Sequence, residues 1–285
     1  MDAVALVTGA NKGLGRETAR SLAERGMAVL LGSRDAERGA AAARRLAAEG
    51  APVTPIRLDV TDAASIEAAG ERIAREHGRL DVLVNNAGTV VESAAAEMTA
   101  DVLRRTFEVN VFGAATAVGT LLPLLRRSPA ARVVNVSSTT ASLALTSGGR
   151  DFGGDAAVRA AYSTSKTALN MLTVQYARAF ADDPALAHIK VNAATPGYVA
   201  TDLTRGRGTR TVAEGARVIV RLATLPADGP SGGSSTRTAP CRGDHGHGAA
   251  SAERGAHAAR RRGSGARGGG QTRQDLTSSS SAAWS

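Results

Sequence analysis

The sequence has very little cysteine and no long hydrophobic run near its start. Cys241 is the only cysteine among 285 residues, which excludes an intrachain disulfide and a metal site built from several cysteines. The opening stretch, MDAVALVTGA, has no basic segment and is too short an apolar run for a signal peptide or a membrane helix. We therefore expect a protein of the reducing cytoplasm, with no membrane partner and no bound metal.

Aromatic residues are also scarce, at 3 % of the chain, although 43 % of the residues are hydrophobic. Alanine, glycine and valine supply much of that apolar content, which suits helices packed closely on a sheet of small residues. A chain of this length can bury a substantial core. The composition therefore favours a single large α/β domain.

The order of apolar segments supports that fold class up to about residue 230. Short runs rich in valine, leucine and isoleucine alternate with longer alanine-rich stretches of helical periodicity, such as 15–26 and 34–50. Alternating strands and helices imply a parallel sheet covered on both faces, and the right-handed crossover rule then gives a doubly wound, Rossmann-type domain over residues 1–230. The predicted strands are residues 4–9, 28–33, 55–60, 80–86, 132–138 and 189–195.

Residues 231–285 follow a different pattern. They contain no valine, isoleucine, phenylalanine, tyrosine or methionine, so they cannot bury enough surface to offset the entropy of ordering. They also carry eight arginines against three acidic residues, which accounts for five of the net charge of +9. We predict a disordered, solvated basic tail. A nucleic-acid-binding arm is the alternative, and the lack of interleaved aromatic residues argues against it.

A glycine-rich loop follows the first predicted strand. In TGANKGLGRETA, Gly9, Gly13 and Gly15 open the first predicted helix. Glycines at these positions allow a tight turn and let backbone N–H groups approach a pyrophosphate at the positive end of the helix. This context predicts a dinucleotide-binding loop rather than a plain turn.

The end of the second strand indicates which dinucleotide is bound. An acidic residue there would accept hydrogen bonds from the ribose 2′-hydroxyl of NAD, but Ser33 occupies that position and Arg34 follows it. Lys12 adds a second cation from the glycine loop. These cations predict NADP(H) rather than NAD(H), because both suit a 2′-phosphate. The alternative is that Arg34 lies on the surface and pairs with Asp35.

Tyr162 is one of only three tyrosines, and Lys166 follows it by four residues in a run that reads as a helix. That spacing sets both side chains on one helical face, one turn apart. A free phenol titrates near ~10, and a neighbouring positive charge favours its ionised form. The pair is therefore a candidate proton donor for a carbonyl oxygen that gains charge during reduction.

Several short motifs occur together in one order and resemble the short-chain dehydrogenase/reductase family. They are TGANKGLG, LDV with Asp59, NNAG at 85–88, VNVFG with Asn110, VNVSS, YSTSK and TPGYVATDL. The resemblance covers residues 4 to about 226 and is strongest to NADPH-dependent carbonyl reductases. It implies an oxidoreductase that transfers a hydride between nicotinamide and a small carbonyl or alcohol substrate. A catalytically weak NADP-binding sensor or scaffold protein is the alternative reading.

The resemblance also implies roles for individual residues. It assigns a catalytic tetrad of Asn110, Ser138, Tyr162 and Lys166, in which Lys166 also binds the nicotinamide ribose. Ser138 is preferred to Ser137 because Ser137 points to the opposite face of the strand. The alternatives for Asp59 and Thr201 are a helix cap and an ordinary loop hydroxyl. The implied cofactor-binding residues are Gly9, Asn11, Lys12, Gly13, Leu14, Gly15, Arg34, Asp59, Val60, Asn86, Ala87, Gly88, Tyr162, Lys166, Pro196, Gly197, Val199 and Thr201.

Two departures from the family pattern stand out. The interval between Ser138 and Tyr162 is longer than in common members, so this loop is expected to shape substrate entry, and it leaves the oligomeric state open between a monomer and a homo-oligomer. After LATLPADGPSGG, relatives continue into a phenylalanine-rich last strand. A one-base shift in a back-translation of SSTRTAPCRG gives FFDEDGPVPW, which matches that ending. We therefore hypothesise that the reading frame slips near Gly233 and that the tail is non-native.

Overall fold

A parallel β-sheet forms the centre of the protein. The computed structural model describes residues 2–152, 155–235 and 240–241. The strands are β1 (Val4–Val7), β2 (Ala28–Ser33), β3 (Thr54–Arg57), β4 (Val82–Asn85), β5 (Arg132–Val136), β6 (Lys190–Ala194), β7 (Ser234–Ser235) and β8 (Pro240–Cys241). They pair in the order β3-β2-β1-β4-β5-β6-β7-β8. The first seven strands run parallel, and β8 pairs antiparallel with β7.

The predicted α/β doubly wound fold is confirmed, and all six predicted strands are present. Most are shorter than predicted at their carboxyl ends, because residues such as Thr8 and Gly9 leave the sheet to form loops. β1 lies at the point where the winding reverses, since Leu6 pairs with Leu30 on one side and with Leu83 on the other. The crevice at this switch point is where folds of this class bind their ligands.

Helices cover both faces of the sheet. One face packs against α1 (Gly13–Ala23), α2 (Ala36–Ala48) and α8 (Val212–Ala223), and the other against α3 (Ala63–His77), α5 (Gly113–Leu125) and α7 (Ala160–Asp182). Two shorter helices are α4 (Ala100–Phe107) and α6 (Leu143–Ser147). Turns of 3₁₀ helix lie at Ala95–Glu97, Thr139–Ala141, Ala156–Val158 and Asp202–Thr204, and a π-helical turn, Glu108–Phe112, joins α4 to α5.

The side chains of strand β1 show why helices must cover both faces of the sheet. Val4 and Leu6 belong to the core cluster under α3, α5 and α7, whereas Ala5 and Val7 belong to the cluster under α1, α2 and α8. Successive side chains of a strand point to opposite faces, so an all-apolar strand must be buried on both. Burial of a side chain such as Leu6 contributes about 1.5–3 kcal/mol.

The helical run Ala100–Leu125 is long and apolar enough to cross a membrane by length and composition alone, and 50 % of its apolar window is buried inside the protein. Its buried side chains include Ala117, Leu121 and Leu125, which contact the sheet core. Core helices commonly meet the same criterion. The run therefore gives no independent reason to expect a membrane span.

The edge of the sheet corrects one predicted boundary. The tail was predicted to begin at residue 231, yet residues 231–235 pair with β6. The N–H of Val191 donates to Ser231 Oγ at 3.0 Å, and that of Thr195 donates to the carbonyl of Ser235 at 2.8 Å. The serines and glycines supply backbone acceptors even without apolar side chains. The predicted disorder of the rest of the tail falls outside the described residues, apart from the backbone of β8.

Candidate active site

The loops at the carboxyl ends of β1, β4, β5 and β6 surround the switch-point crevice. The glycine loop packs against the segment that follows β4. Gly9 has φ of 62°, and a Cβ built on it would lie 2.9 Å from the Cα of Ala87. A Cβ on Gly15 would lie 2.6 Å from the carbonyl oxygen of Gly9. Both positions need glycine, because the backbone segments approach too closely for any side chain.

Hydrogen bonds to the segment after β4 hold the glycine loop in place. The side-chain amide of Asn86 donates to the carbonyl oxygens of Thr8 at 2.8 Å and Gly9 at 3.1 Å. The Thr8 hydroxyl in turn accepts from the N–H groups of Asn86 and Ala87, both at 3.0 Å. The sequence motifs TGANKGLG and NNAG therefore meet in space.

The amino end of α1 is suited to an anion. Lys12 is its N-cap residue and makes no side-chain capping hydrogen bond, and the first turn carries no acidic residue. The N–H groups of this turn therefore keep their positive field for a ligand. Beyond the loop, a Cβ built on Gly88 would lie 3.6 Å from Lys166 Nζ, so the glycine leaves space beside the buried ammonium. These features fit a dinucleotide.

Asn110 is fixed by its π-helical turn and is 1 % exposed. Its side-chain N–H group donates to the carbonyl oxygen of Thr89 and to Ser165 Oγ, each at 3.0 Å. Its side-chain oxygen accepts from the N–H of Thr89 at 2.8 Å. Ser165 also donates to the carbonyl of Tyr162 at 2.7 Å. Ser165, which the sequence did not single out, thus links Asn110 to the helix that carries Tyr162.

Lys166 is buried in the centre of the site. Its ammonium group donates to the carbonyl oxygen of Val136 at 2.8 Å and lies 5.8 Å from the ring centroid of Tyr162. The predicted pairing one helical turn apart is therefore present in α7. Burial lowers the pKa of Lys166 to about 8, because the charged form loses hydration.

Tyr162 behaves differently from the expectation. Burial raises its pKa, and the opposing influences are a hydrogen bond with Ser138 and the positive charge of Arg159. The sequence predicted that Lys166 would lower this pKa, whereas the residues that lower it are Ser138 and Arg159. Spacing predicts which residues are neighbours, whereas the loss of solvent around the phenol, which dominates here, depends on the whole fold.

Ser138 follows β5 and faces Tyr162. Its hydroxyl lies 3.1 Å from Thr140 Oγ1 and accepts from the N–H of Thr140 at 3.3 Å. Ser137 is buried, and its hydroxyl has no hydrogen-bond partner within the described part of the chain. Of the two serines, Ser138 is therefore the one that interacts with the phenol.

Arg34 and Lys12, the two cations predicted to bind a 2′-phosphate, lie in different surroundings. Arg34 is exposed at the end of β2. Asp35 caps α2 and forms an ion pair with Arg38 at 3.2 Å, so its carboxylate is engaged by Arg38. Lys12 instead bridges to Asp202 at 2.5 Å, and this contact lowers the pKa of the Asp202 carboxyl.

A cationic cavity between α1 and α2 was missed from the sequence. It has a volume of about 230 Å³ and is lined by Asn11, Arg16, Arg38, Ala41, Ala42 and Arg45. We call it the arginine cavity. Arg38 and Arg45 are seven residues apart on α2, and Arg16 directly follows the glycine loop. A spacing of seven residues is about two helical turns, so the sequence could have indicated that Arg38 and Arg45 share one cationic face of α2.

The remaining predicted cofactor residues lie in the loops after β3 and β6 or at the start of α1. Asp59 accepts from the N–H and the hydroxyl of Thr61, whereas Asp62 caps α3, so the helix-cap alternative for Asp59 is wrong. The methyl group of Thr201 would lie 3.5 Å from a Cβ on Gly13, which places Thr201 opposite the glycine loop.

Leu14 in the first turn of α1 and Val199 in the loop after β6 contact Gly215 of α8. Either side chain would lie within 3 Å of a Cβ on Gly215, so this glycine lets α8 pack against both. The carbonyl oxygen of Pro196 accepts from Arg210 at 2.6 Å, Gly197 has φ of 85°, and Val60 packs against Gly113 at the start of α5. Among the residues that the structure describes, no three His, Cys, Asp or Glu side chains cluster as metal ligands.

Known proteins resemble the chain over most of its length. Residues 3–211 match the family described as short chain dehydrogenase. The chain is 36 % identical to short-chain dehydrogenase/reductase 1 of Saponaria officinalis, over 82 % of this chain and 93 % of that one. It is 35 % identical to carbonyl reductase [NADPH] 3 of Mus musculus, over 79 % and 92 %.

A solved structure gives the same result. Salutaridine reductase from Papaver somniferum superposes with a TM-score of 0.71 at 30 % identity, over 81 % of this chain and 99 % of that one. The motif order, the switch-point crevice and these matches agree. The chain is an oxidoreductase of the short-chain dehydrogenase/reductase family.

Proposed function

We propose that the protein is an NADPH-dependent reductase that transfers a hydride between nicotinamide and a carbonyl or alcohol substrate, with Asn110, Ser138, Tyr162 and Lys166 as its catalytic tetrad. One observation carries the proposal. The phenol of Tyr162 and the ammonium of Lys166 are buried together at the switch-point crevice, and Gly88 leaves space beside that ammonium. A buried acid and a buried cation beside a cofactor-sized crevice suit carbonyl reduction.

The residues present fit the cofactor. The glycine loop and the amino end of α1 would hold the pyrophosphate, and Asn86, Ala87 and Gly88 would lie along the nucleotide. Lys166 has one backbone acceptor, Val136, and an ammonium has three donors, so it retains donors for ribose hydroxyls. When bound, the reduced nicotinamide supplies the hydride.

The chain's own residues would supply the proton and hold the oxygen. Tyr162 donates its proton to the carbonyl oxygen as that oxygen gains negative charge, and Ser138 donates a hydrogen bond to the same oxygen. The Tyr162 phenolate then regains a proton from water. Asn110, whose amide is engaged by Thr89 and Ser165, holds the π-helical turn beside this site.

The preference for NADP rests on positive charge. Arg34 is exposed at the end of β2, and the arginine cavity adds Arg16, Arg38 and Arg45 on the neighbouring helices. Among the described residues, the only ion pair of these four arginines joins Arg38 to Asp35. Several guanidinium groups without a carboxylate suit a 2′-phosphate. The mouse relative is also named for NADPH.

Turnover of a broad panel of ketones, aldehydes and quinones with NADPH tests the proposal. We expect Tyr162→Phe to lower kcat by about 10²–10⁴-fold, as for the loss of a general acid. NADPH binding, followed by its fluorescence, should persist in the same variant. If no carbonyl compound is reduced although NADPH binds, the protein is instead an NADP-binding sensor or scaffold.

A further inference from the structure

Arg159 is a buried cation that the proposed tetrad does not use. It is the N-cap residue of α7, three residues before Tyr162, and is 7 % exposed. Its Nη2 atom donates to the carbonyl oxygen of Leu203 at 2.9 Å and to Asp155 Oδ2 at 3.2 Å. Its Nε atom is buried and has no hydrogen-bond partner within the described part of the chain. A buried guanidinium so incompletely paired is costly and needs an explanation.

Asp155 does not fully neutralise Arg159, because its carboxylate also contacts a second arginine. The same Oδ2 atom also accepts from Arg207, which lies in the loop after β6. Two cations and one carboxylate leave this group with one net positive charge. The side chains of Arg159 and Asp155 are 9 % and 14 % exposed, so solvent screens their charges weakly, whereas that of Arg207 is 48 % exposed.

Arg159 lies near the phenol. It precedes Tyr162 by three residues at the start of α7, a spacing of about one helical turn, and both residues are buried. The positive charge of Arg159 lowers the pKa of Tyr162, in opposition to burial. Lys166 also faces the ring but is bound to the carbonyl of Val136. An opposite charge within a few ångströms favours the ionised form of an acid, most strongly where water is excluded.

Other charges on the elements around α7 lie away from the phenol. On α4 and the π-helical turn, Asp101, Arg104, Arg105 and Glu108 are exposed to solvent. Arg132 and Lys190 begin β5 and β6, at the opposite edge of the sheet from Ser138. Arg178 and Asp182 lie near the carboxyl end of α7. Lys166 and Arg159 are therefore the charged side chains beside Tyr162, and Asp155 and Arg207 act on it through Arg159.

We propose that Arg159 is a positioning residue whose charge stabilises the Tyr162 phenolate left after proton donation, and that Asp155 limits this effect only in part, because its carboxylate is shared between Arg159 and Arg207. The proposal rests on the proposed function in giving Tyr162 the role of proton donor. In that step the phenol O–H bond breaks and the proton bonds to the carbonyl oxygen. Water later returns a proton to the phenolate, so no further reactant is required.

The test follows the ionisation of Tyr162 directly. Alkaline absorbance titration of the protein, minus that of Tyr162→Phe, isolates this phenol from Tyr176 and Tyr198, and circular dichroism verifies the fold at each pH. We expect Arg159→Met to move the midpoint upward by about one pH unit and Asp155→Asn to move it downward by a similar amount. Arg159→Lys should restore most of the shift.

A matched control uses Arg205, which lies in the same loop as Arg207 but pairs with the exposed Glu92. Arg205→Gln should leave the midpoint unchanged. If Arg159→Met does not fold, Asp155→Asn decides alone. A midpoint that is unchanged or higher in Asp155→Asn, or unchanged or lower in a folded Arg159→Met, overturns the proposal.

Kinetic measurements distinguish a failure of the proposed function from a failure of the role proposed for Arg159. The pH profile of kcat/KM for alcohol oxidation with NADP⁺ should shift in the same directions as the absorbance midpoints. If Tyr162→Phe retains full turnover, the proposed function fails, while the absorbance titration still tests Arg159. If Tyr162 is essential and the midpoints do not move, only the role of Arg159 fails.

Discussion

The ammonium nitrogen of Lys166 lies 2.8 Å from the carbonyl oxygen of Val136, at the end of β5. This contact connects α7 to the sheet and holds the lysine almost entirely out of solvent, since the residue is 3 % exposed. A backbone carbonyl offsets only part of the lost hydration, and the charged form is therefore disfavoured. Lys166 therefore lies close to Tyr162 but loses its own proton more readily than a solvated lysine does.

We predict that activity declines as the pH rises through about 8. The pKa of Lys166 is lowered to about 8, so the side chain is charged below that pH and neutral above it. The pKa of Tyr162 is raised, so the phenol keeps its proton in this range. Loss of the Lys166 charge should then lower kcat/KM by about tenfold per pH unit.

The chain contains only three lysines, Lys12, Lys166 and Lys190, so ¹⁵N-lysine NMR can follow each ammonium during a pH titration. Lys166→Arg identifies the resonance by removing it. A Lys166 ammonium that stays charged up to pH 10 would contradict the prediction.

A second prediction concerns the arginine cavity. Arg16→Gln and Arg45→Gln should each weaken NADPH binding by about tenfold while NADH binding changes little, because a charge-assisted hydrogen bond to the 2′-phosphate contributes about 1.5 kcal/mol or more. Fluorescence titration with both cofactors measures the two dissociation constants.

Arg44 supplies the matched control for these variants. It lies on α2 beside Arg45 and is exposed, but it does not line the cavity. Arg44→Gln should leave both constants unchanged. Equal losses in Arg44→Gln and Arg45→Gln would mean that net charge, and not the cavity, determines the preference.

A third prediction compares two glycines. Gly9→Ala should lower the free energy of unfolding by about 1–3 kcal/mol, because its φ of 62° is strained for alanine and the new Cβ meets the Cα of Ala87 at 2.9 Å. Gly119 lies inside α5 with open space at its Cβ position. Gly119→Ala should therefore raise the free energy of unfolding by about 0.5–1 kcal/mol. Urea denaturation measures both, and similar effects of the two changes would contradict the steric account.

Local patterns predicted most of the fold and the centre of the site. The strands, the glycine loop and the Tyr162–Lys166 pair each depend on residues a few positions apart, and periodicity reports such relationships directly. The resemblance to a family then supplied Asn110 and Ser138. These residues belong to motifs whose order can be read along the chain.

Contacts between distant loops could not be predicted in this way. Lys12 and Asp202 are 190 residues apart, and Arg207 and Asp155 are 52 apart. Such pairs form only after the sheet brings loops together, so no spacing rule indicates them. The burial of Tyr162, which raises its pKa, is likewise a property of the assembled site.

The last prediction tests the edge of the sheet by truncation. A chain ending at residue 235 keeps the segment 231–235 against β6, whereas a chain ending at residue 230 removes it. In the shorter chain, the N–H groups of Val191, Ala193 and Thr195 lose their acceptors in that segment.

Each of these lost hydrogen bonds costs about 1 kcal/mol, so the shorter chain should be about 3 kcal/mol less stable in urea denaturation. Both truncations lack β8, so their difference isolates residues 231–235. Ser231→Ala in the longer chain removes the hydroxyl that accepts from the N–H of Val191 and should cost about 1 kcal/mol. Equal stability of the two truncated chains would show that β7 does not hold β6, and the domain would then end at residue 230 as the sequence predicted.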